Sequence, residues 1–151
     1  MQSDFTKKIK GVGIKIFFDE NTSPYLAKAF KILQKRRNIK FNESFSIHHT
    51  QTLFEKGIED ENWIEEIGKE NGVAITYDTN IHKSRIQREL YLEKGVGIFF
   101  MKRPISKGPD FWEQVKFLVA NWEVILSISK GNKPFSYRQQ KVGKNFFEWY
   151  N

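Results

Sequence analysis

The chain contains no cysteine, which excludes disulfide staples and thiolate metal sites. Long apolar runs are missing as well, and the opening residues "MQSDFTKKIKG" carry an early acid. Neither a secretory leader nor a membrane span is therefore expected, and the cytoplasm is the expected location. Only four prolines occur and no low-complexity tract interrupts the sequence, so the composition is not that of a disordered chain. What is present is 39% apolar and 15% aromatic content in 151 residues. That length suits one domain, which would bury about 68–70% of the surface its unfolded chain exposes. The expectation is a single unit over residues 1–151, with a core at about 14–128 and an aromatic tail at 133–150.

Charge is unevenly distributed. Residues 1–40 carry 10 basic and 3 acidic side chains, residues 41–80 carry 2 and 9, and residues 81–151 carry 13 and 6. An acidic middle is thus flanked by basic segments. This layout suits a protein that holds a polyanion against bound divalent metal, although solvated helix faces would produce it too.

"GIKIFF" (13–18) reads as a buried strand. A helix is predicted from Ser23, whose hydroxyl can cap it, with Pro24 at the first helical position. Leu26, Phe30 and Leu33 form its apolar stripe, backed by Lys28, Lys31, Lys35 and Arg36. The run "KRR" at 35–37 reads as the basic end of that helix. "SFSIHH" (44–49) is a second strand. "EDENWIEEIGKENG" (59–72) reads as a helix capped by Asp60, with Trp63, Ile64 and Ile67 inward and Gly72 past its end. "VAIT" (73–76) is strand three. A helix at 81–93, a strand "VGIFFM" (96–101) and a long helix at 110–128 capped by Asp110 follow. The tail from Lys133 to Tyr150 supplies an edge strand or covers a sheet edge; Phe146, Phe147, Trp149 and Tyr150 could instead form an interface. Strands alternating with helices imply an α/β fold with a mainly parallel sheet covered on both faces.

In such sheets the functional crevice lies beyond the carboxyl ends of the strands. Asp19 directly follows strand one, and Asp78 follows strand three. Asp60 opens the helix leading into strand three, and so starts on that same side. Three carboxylates distant in sequence should therefore converge, with Glu20 and Glu59 beside two of them. Each also has a plainer explanation: helix-end electrostatics for Asp19, capping for Asp60, a turn for Asp78. Converging carboxylates repel unless a cation neutralises them, and hard oxygen donors select Mg2+ or Mn2+. A metal so held can serve hydrolysis at phosphorus.

On "FFDENTSPYL", "IEDENW" and "AITYDTNI", with "KGVGIFFM" as the fourth strand, the chain resembles the PIN-like domain family, and in particular its VapC-type toxins of toxin-antitoxin pairs. The resemblance runs from about Ile14 to Met101. It implies a three-layer α/β/α sandwich and a magnesium- or manganese-dependent endoribonuclease.

Residue by residue, the resemblance matches the family's acids to Asp19, Asp60 and Asp78, and its turn threonine to Thr76. Asp19 and Asp78 would hold the principal metal, and Asp60 would ligate or position the water. Many members carry another acid two residues beyond the turn aspartate. Here Asn80 stands there, an amide that can ligate through oxygen but adds no charge, so Glu20 and Glu59 become the candidate further ligands. Lys83, Arg85 and Arg88 would hold flanking RNA phosphates, or simply form an exposed helix face. The implied partners are RNA and a cognate antitoxin protein, with homodimerisation a further expectation. A catalytically inactive module that binds RNA or a partner protein is the alternative.

Other readings fit less well. A phosphoaspartate enzyme of the haloacid dehalogenase type needs a second acid where this chain has Asn21, and a receiver domain needs a lysine at a strand end that is not found. His48 and His49 are adjacent on a strand and should face opposite ways, so they make no metal pair. His82 lies close to Asp78 in sequence but reads as a polar surface residue.

Overall fold

The computed structural model describes residues 13–53, 60–102, 111–139 and 146–148. Five parallel strands, β1 (Ile14–Phe18), β2 (Phe45–His49), β3 (Gly72–Thr76), β4 (Gly97–Phe100) and β5 (Phe135–Gln139), form the sheet. A short antiparallel strand, β6 (Phe146–Glu148), closes one edge beside β5. The order is β2-β1-β3-β4-β5-β6. The chain steps outward from β1 to β2, then returns across β1 to β3. The direction of winding reverses there, so the carboxyl ends of β1 and β3 flank the switch point where ligands of open α/β sheets bind.

The helices are α1 (Pro24–Phe41), α2 (Thr50–Leu53), α3 (Asp60–Lys69), α4 (Asn80–Lys83), α5 (Arg85–Glu93) and α6 (Phe111–Ser129). Successive strand residues point to opposite faces, and the apolar core divides accordingly. Ile16, Phe18, Val73, Ile75 and Phe99 meet Leu26 and Phe30 of α1 and Phe117, Leu118 and Trp122 of α6. On the other face Phe17, Ala74, Ile98 and Phe100 meet Trp63, Ile64 and Ile67 of α3, Ile81 of α4 and Tyr91 of α5. This is a three-layer α/β/α sandwich. Each fully buried Phe or Ile contributes about 1.5–3 kcal/mol. Because the sheet is buried on both faces, β3 and β4 are apolar throughout apart from Thr76.

The steps β3 to β4 and β4 to β5 run in the same lateral direction, yet α5 and α6 lie on opposite faces. The β4–α6–β5 crossover therefore has the opposite hand to the β3–β4 crossover, an uncommon arrangement among parallel connections. Its effect is to set α6 beside α1, with Phe30 and Trp122 ring centroids 4.5 Å apart. Both faces of the sheet are thereby covered.

Several sequence-based boundaries shift. The helix from Pro24 runs to Phe41, a turn beyond the "KRR" run; Lys40 is the base in its last turn, and Asn42 ends it with φ 55°. Leu33 is 51% exposed rather than inward. Gln34 occupies the inward position at that level, accepting from Trp122 Nε1 at 2.8 Å and donating to Glu43 at 2.9 Å. After α3 it is Asn71, with φ 56°, that takes the left-handed conformation. Gly72 instead begins β3, where a Cβ would press on Ile67 and Phe17. The predicted helix at 81–93 is two helices, broken at Ser84, whose hydroxyl recaps α5 at Gln87 N. Asp110 and the end of the aromatic tail, Trp149 and Tyr150, lie outside the described residues.

Candidate active site

The site is assembled from the loops that follow β1 and β3. Asp19 is the first residue beyond β1, and its N–H still donates to Ile75 O of β3 at 3.1 Å. The backbone is thus pinned to the sheet where the side chain departs. Although charged, Asp19 is only 3% exposed. Its Oδ1 accepts the Asn21 N–H at 2.9 Å, closing a tight Asx turn. Its Oδ2 accepts the Thr76 hydroxyl at 2.6 Å. The carbonyl of Asp19 accepts from Thr22 twice, from N at 3.0 Å and from Oγ1 at 2.7 Å. Ser23 then caps α1, accepting from Tyr25 N at 3.1 Å. Turn and cap follow without a spare residue, which fixes the carboxylate in place.

Thr76 is fully buried at the end of β3. Its hydroxyl has one proton to give and lone pairs to accept with. The proton goes to Asp19, and Oγ1 accepts the N–H of Asp78 at 2.9 Å. One threonine therefore couples the two acid-bearing loops. Asp78 is half-buried, and its Oδ1 accepts the Asn80 N–H at 3.0 Å. Asn21 adds a second link, its Oδ1 accepting the Tyr77 N–H at 3.4 Å. Thr22 and Asn21 were not singled out as site residues from the sequence. Their signal was present in "DENTS", a run of short polar side chains of the kind that bond to nearby backbone.

Asp60 is the first residue of α3, placed at the end of the helix that precedes β3. Its side chain, and Glu59 as a whole, lie outside what is described. Glu20 is exposed, as is Asn80. Among the described residues no group of three or more His, Asp and Glu side chains comes together. Asp19, Asn21 and Asp78, which these hydrogen bonds link through Thr76 and Tyr77, nonetheless offer only hard oxygen donors, two carboxylates and one side-chain amide. That donor set fits magnesium or manganese rather than a softer metal.

The neighbouring cations are partly engaged. Arg88 donates from NH1 to His82 O at 2.7 Å, and Arg85 pairs with Glu89 at 3.1 Å, while Lys83 is exposed. His82 is buried, at 4% exposed, rather than on the surface. It forms a 2.6 Å hydrogen bond with the Tyr91 hydroxyl and lies edge-on to Phe100. It belongs to the core between α4, α5 and β4. Burial raises the Tyr91 pKa, against lesser lowering by Ser136 and Arg88.

His48 and His49 do face opposite ways. His48 stacks on Phe17 at 5.1 Å and bonds to Ser46 at 2.9 Å. His49 points toward the α1 side, where its Nδ1 accepts the Gln51 N–H at 3.2 Å and its Nε2 meets Thr22 O at 3.0 Å. That pair of contacts fixes the ring hydrogen on Nε2. His48 titrates below the ordinary histidine value because it is buried and faces Lys15 and Lys31, opposed only weakly by Glu70.

Parallel strands wound about a switch point, with Asp19 and Asp78 on the loops that follow β1 and β3, define an α/β domain whose binding crevice lies at those strand ends. The "PIN like domain" family model matches residues 14–103 of the chain, which therefore belongs to the PIN-like domain family. No curated protein and no solved structure matches it. Nuclease activity is common in this family. No helix among the described residues is long and apolar enough to cross a membrane.

Proposed function

We propose that the protein is a metal-dependent endoribonuclease that hydrolyses RNA phosphodiester bonds at the Asp19–Asp78 crevice. The observation that carries this reading is the Thr76 hydroxyl, which joins a nearly buried carboxylate after β1 to the acid-bearing turn after β3. Asp19 and Asp78 are the metal ligands, and Asp60, at the start of α3, is the third acid. Bound Mg2+ or Mn2+ supplies charge stabilisation at the phosphate oxygens and orientation of the attacking water. Thr76 and Asn21 hold the Asp19 carboxylate in one orientation, so little reorganisation is needed when the charged substrate arrives. Lys83 at the rim offers a cation to flanking phosphate.

Within this reading the protein acts in the cytoplasm as the toxin of a toxin-antitoxin pair, and a cognate antitoxin chain covers the crevice. Homodimerisation belongs to the same proposal. One observation favours the non-catalytic alternative, in which the fold binds RNA or a protein without chemistry. Asn80 contributes no charge to the turn, and its backbone N–H is bonded to Asp78 Oδ1.

Calorimetric titration with Mn2+ separates the two. Wild type should bind the ion and Asp19→Asn should lose most of that binding. Equal heats for both proteins, or none for wild type, would contradict the metal-dependent reading.

A further inference from the structure

The face of α1 toward β2 has a feature that the acidic crevice does not use. Two hollows of about 200 and 250 Å3 lie between α1 and β2, and they share Lys31, Ile47 and His48. One reaches Pro24, Lys28 and His49, the other Lys35 and Phe45. They form one groove along β2, which occupies the end of the strand order. Three lysines and His49 line it, with His48 at its border where the strand edge turns toward Phe17, and among the described residues no carboxylate does.

Lys28, Lys31 and Lys35 are exposed, and among the described residues none is in an ion pair. They are spaced along the side of α1 over seven residues. At a rise of ~1.5 Å per residue this is about 10 Å, the length of about three stacked nucleotides. The upper end of the groove adjoins the acid loops: His49 contacts Thr22 O, and Thr22 Oγ1 donates to Asp19 O. The charge of Lys31 reaches the β2 edge, where it helps to lower the pKa of His48, after burial and Lys15.

We propose that this lysine-lined groove beside β2 carries single-stranded RNA away from the Asp19 crevice, with Lys28, Lys31 and Lys35 on successive phosphates. The proposal rests on the ribonuclease reading for its choice of polyanion. A strand leaving the acid-bearing mouth would run down the sheet edge between α1 and β2. Among the described residues no strand pairs with the outer edge of β2, and backbone groups along such an edge add donors for sugar and phosphate oxygens. Arg88, by contrast, is partly engaged by His82 O.

The test is binding of a fluorescein-labelled twelve-nucleotide oligouridylate in EDTA, which keeps the RNA intact, over a range of salt concentrations. Lys28→Gln/Lys31→Gln/Lys35→Gln should weaken binding about tenfold or more and reduce the slope of log K against log salt by about 2, near 0.7 per lost contact. Circular dichroism confirms that the triple variant is folded.

Unchanged affinity and slope would overturn the proposal. So would displacement of the RNA by polyglutamate at equal charge concentration, which would assign the groove to an acidic protein segment. Because the assay does not require cleavage, loss of binding in the triple variant of a protein that cuts no RNA would keep the groove and discard the nuclease. Normal cleavage with unchanged binding would do the reverse.

Discussion

Thr76 Oγ1 donates to Asp19 Oδ2 at 2.6 Å, across the β1–β3 pair and between two residues that are almost entirely buried. The same oxygen accepts the Asp78 N–H. Thr76→Val keeps the shape of the side chain but removes the hydroxyl, leaving the carboxylate without this donor. A hydrogen bond to a charged group is worth ~1.5–3 kcal/mol, so urea denaturation should show a loss of about 2 kcal/mol. Thr76→Ser should recover most of it, together with Mn2+ affinity.

Glu43, in the turn between α1 and β2, ties that turn to α1 and, through Gln34, to α6. It accepts from Gln34 at 2.9 Å and from Arg37 at 3.1 and 2.8 Å, while Gln34 accepts from Trp122 of α6. The Arg37 guanidinium, aided by Gln34, lowers the Glu43 pKa against the opposing effect of burial. A depressed folded-state value means that the unfolded chain binds the proton more tightly. The stability from Glu43 is therefore fully present above its ordinary 4.5 and lost as pH falls through the lower folded value. Glu43→Gln should cost about 2 kcal/mol at pH 7 and flatten the acid limb of a stability-against-pH curve measured by thermal melts.

His48 gives a signal at higher pH. Its folded-state pKa is depressed from 6.5 by burial, Lys15 and Lys31. The unfolded state therefore holds the proton more readily, and stability rises with pH until it levels above 6.5. His48→Gln should remove that slope. NMR titration of the wild-type imidazole should give a midpoint below the unfolded-peptide value, and a midpoint at or above it would contradict the burial described here.

The outward surface of α1 makes a contrast with its core. Tyr25, Ile32 and Ile39 are 69%, 70% and 72% exposed, whereas Phe30 is 2% exposed against Trp122. Ile32→Gln should change stability by less than ~0.5 kcal/mol, and Phe30→Ala should cost ~3–5 kcal/mol. Denaturant midpoints for the two variants check both.

The sandwich was legible because its signals are local. The apolar runs at 14–18 and 72–76, the Ser23–Pro24 start and the Trp63–Ile64–Ile67 stripe each follow from the spacing of a few residues. Leu33 and His82 were misread because tertiary partners decide them. Gln34 takes the inward place through Trp122, and His82 is drawn inside by Tyr91 and Phe100. The hand of the β4–α6–β5 crossover has no local signature. At the site, the order of elements was enough to expect Asp19 directly after β1 and Asp78 shortly after β3. The bridging role of Thr76 depends on strand register, with Phe18 opposite Ile75, and periodicity does not reveal register.

The central claim is tested most directly by incubating the purified protein with end-labelled RNA and Mg2+ or Mn2+, with and without EDTA, beside Asp78→Asn. The account predicts cleavage by wild type that stops with chelation and falls at least a hundredfold in the variant, a loss of ~2.7 kcal/mol or more in transition-state stabilisation. Cleavage that persists in EDTA or in Asp78→Asn, or no cleavage of any RNA by wild type, would contradict it.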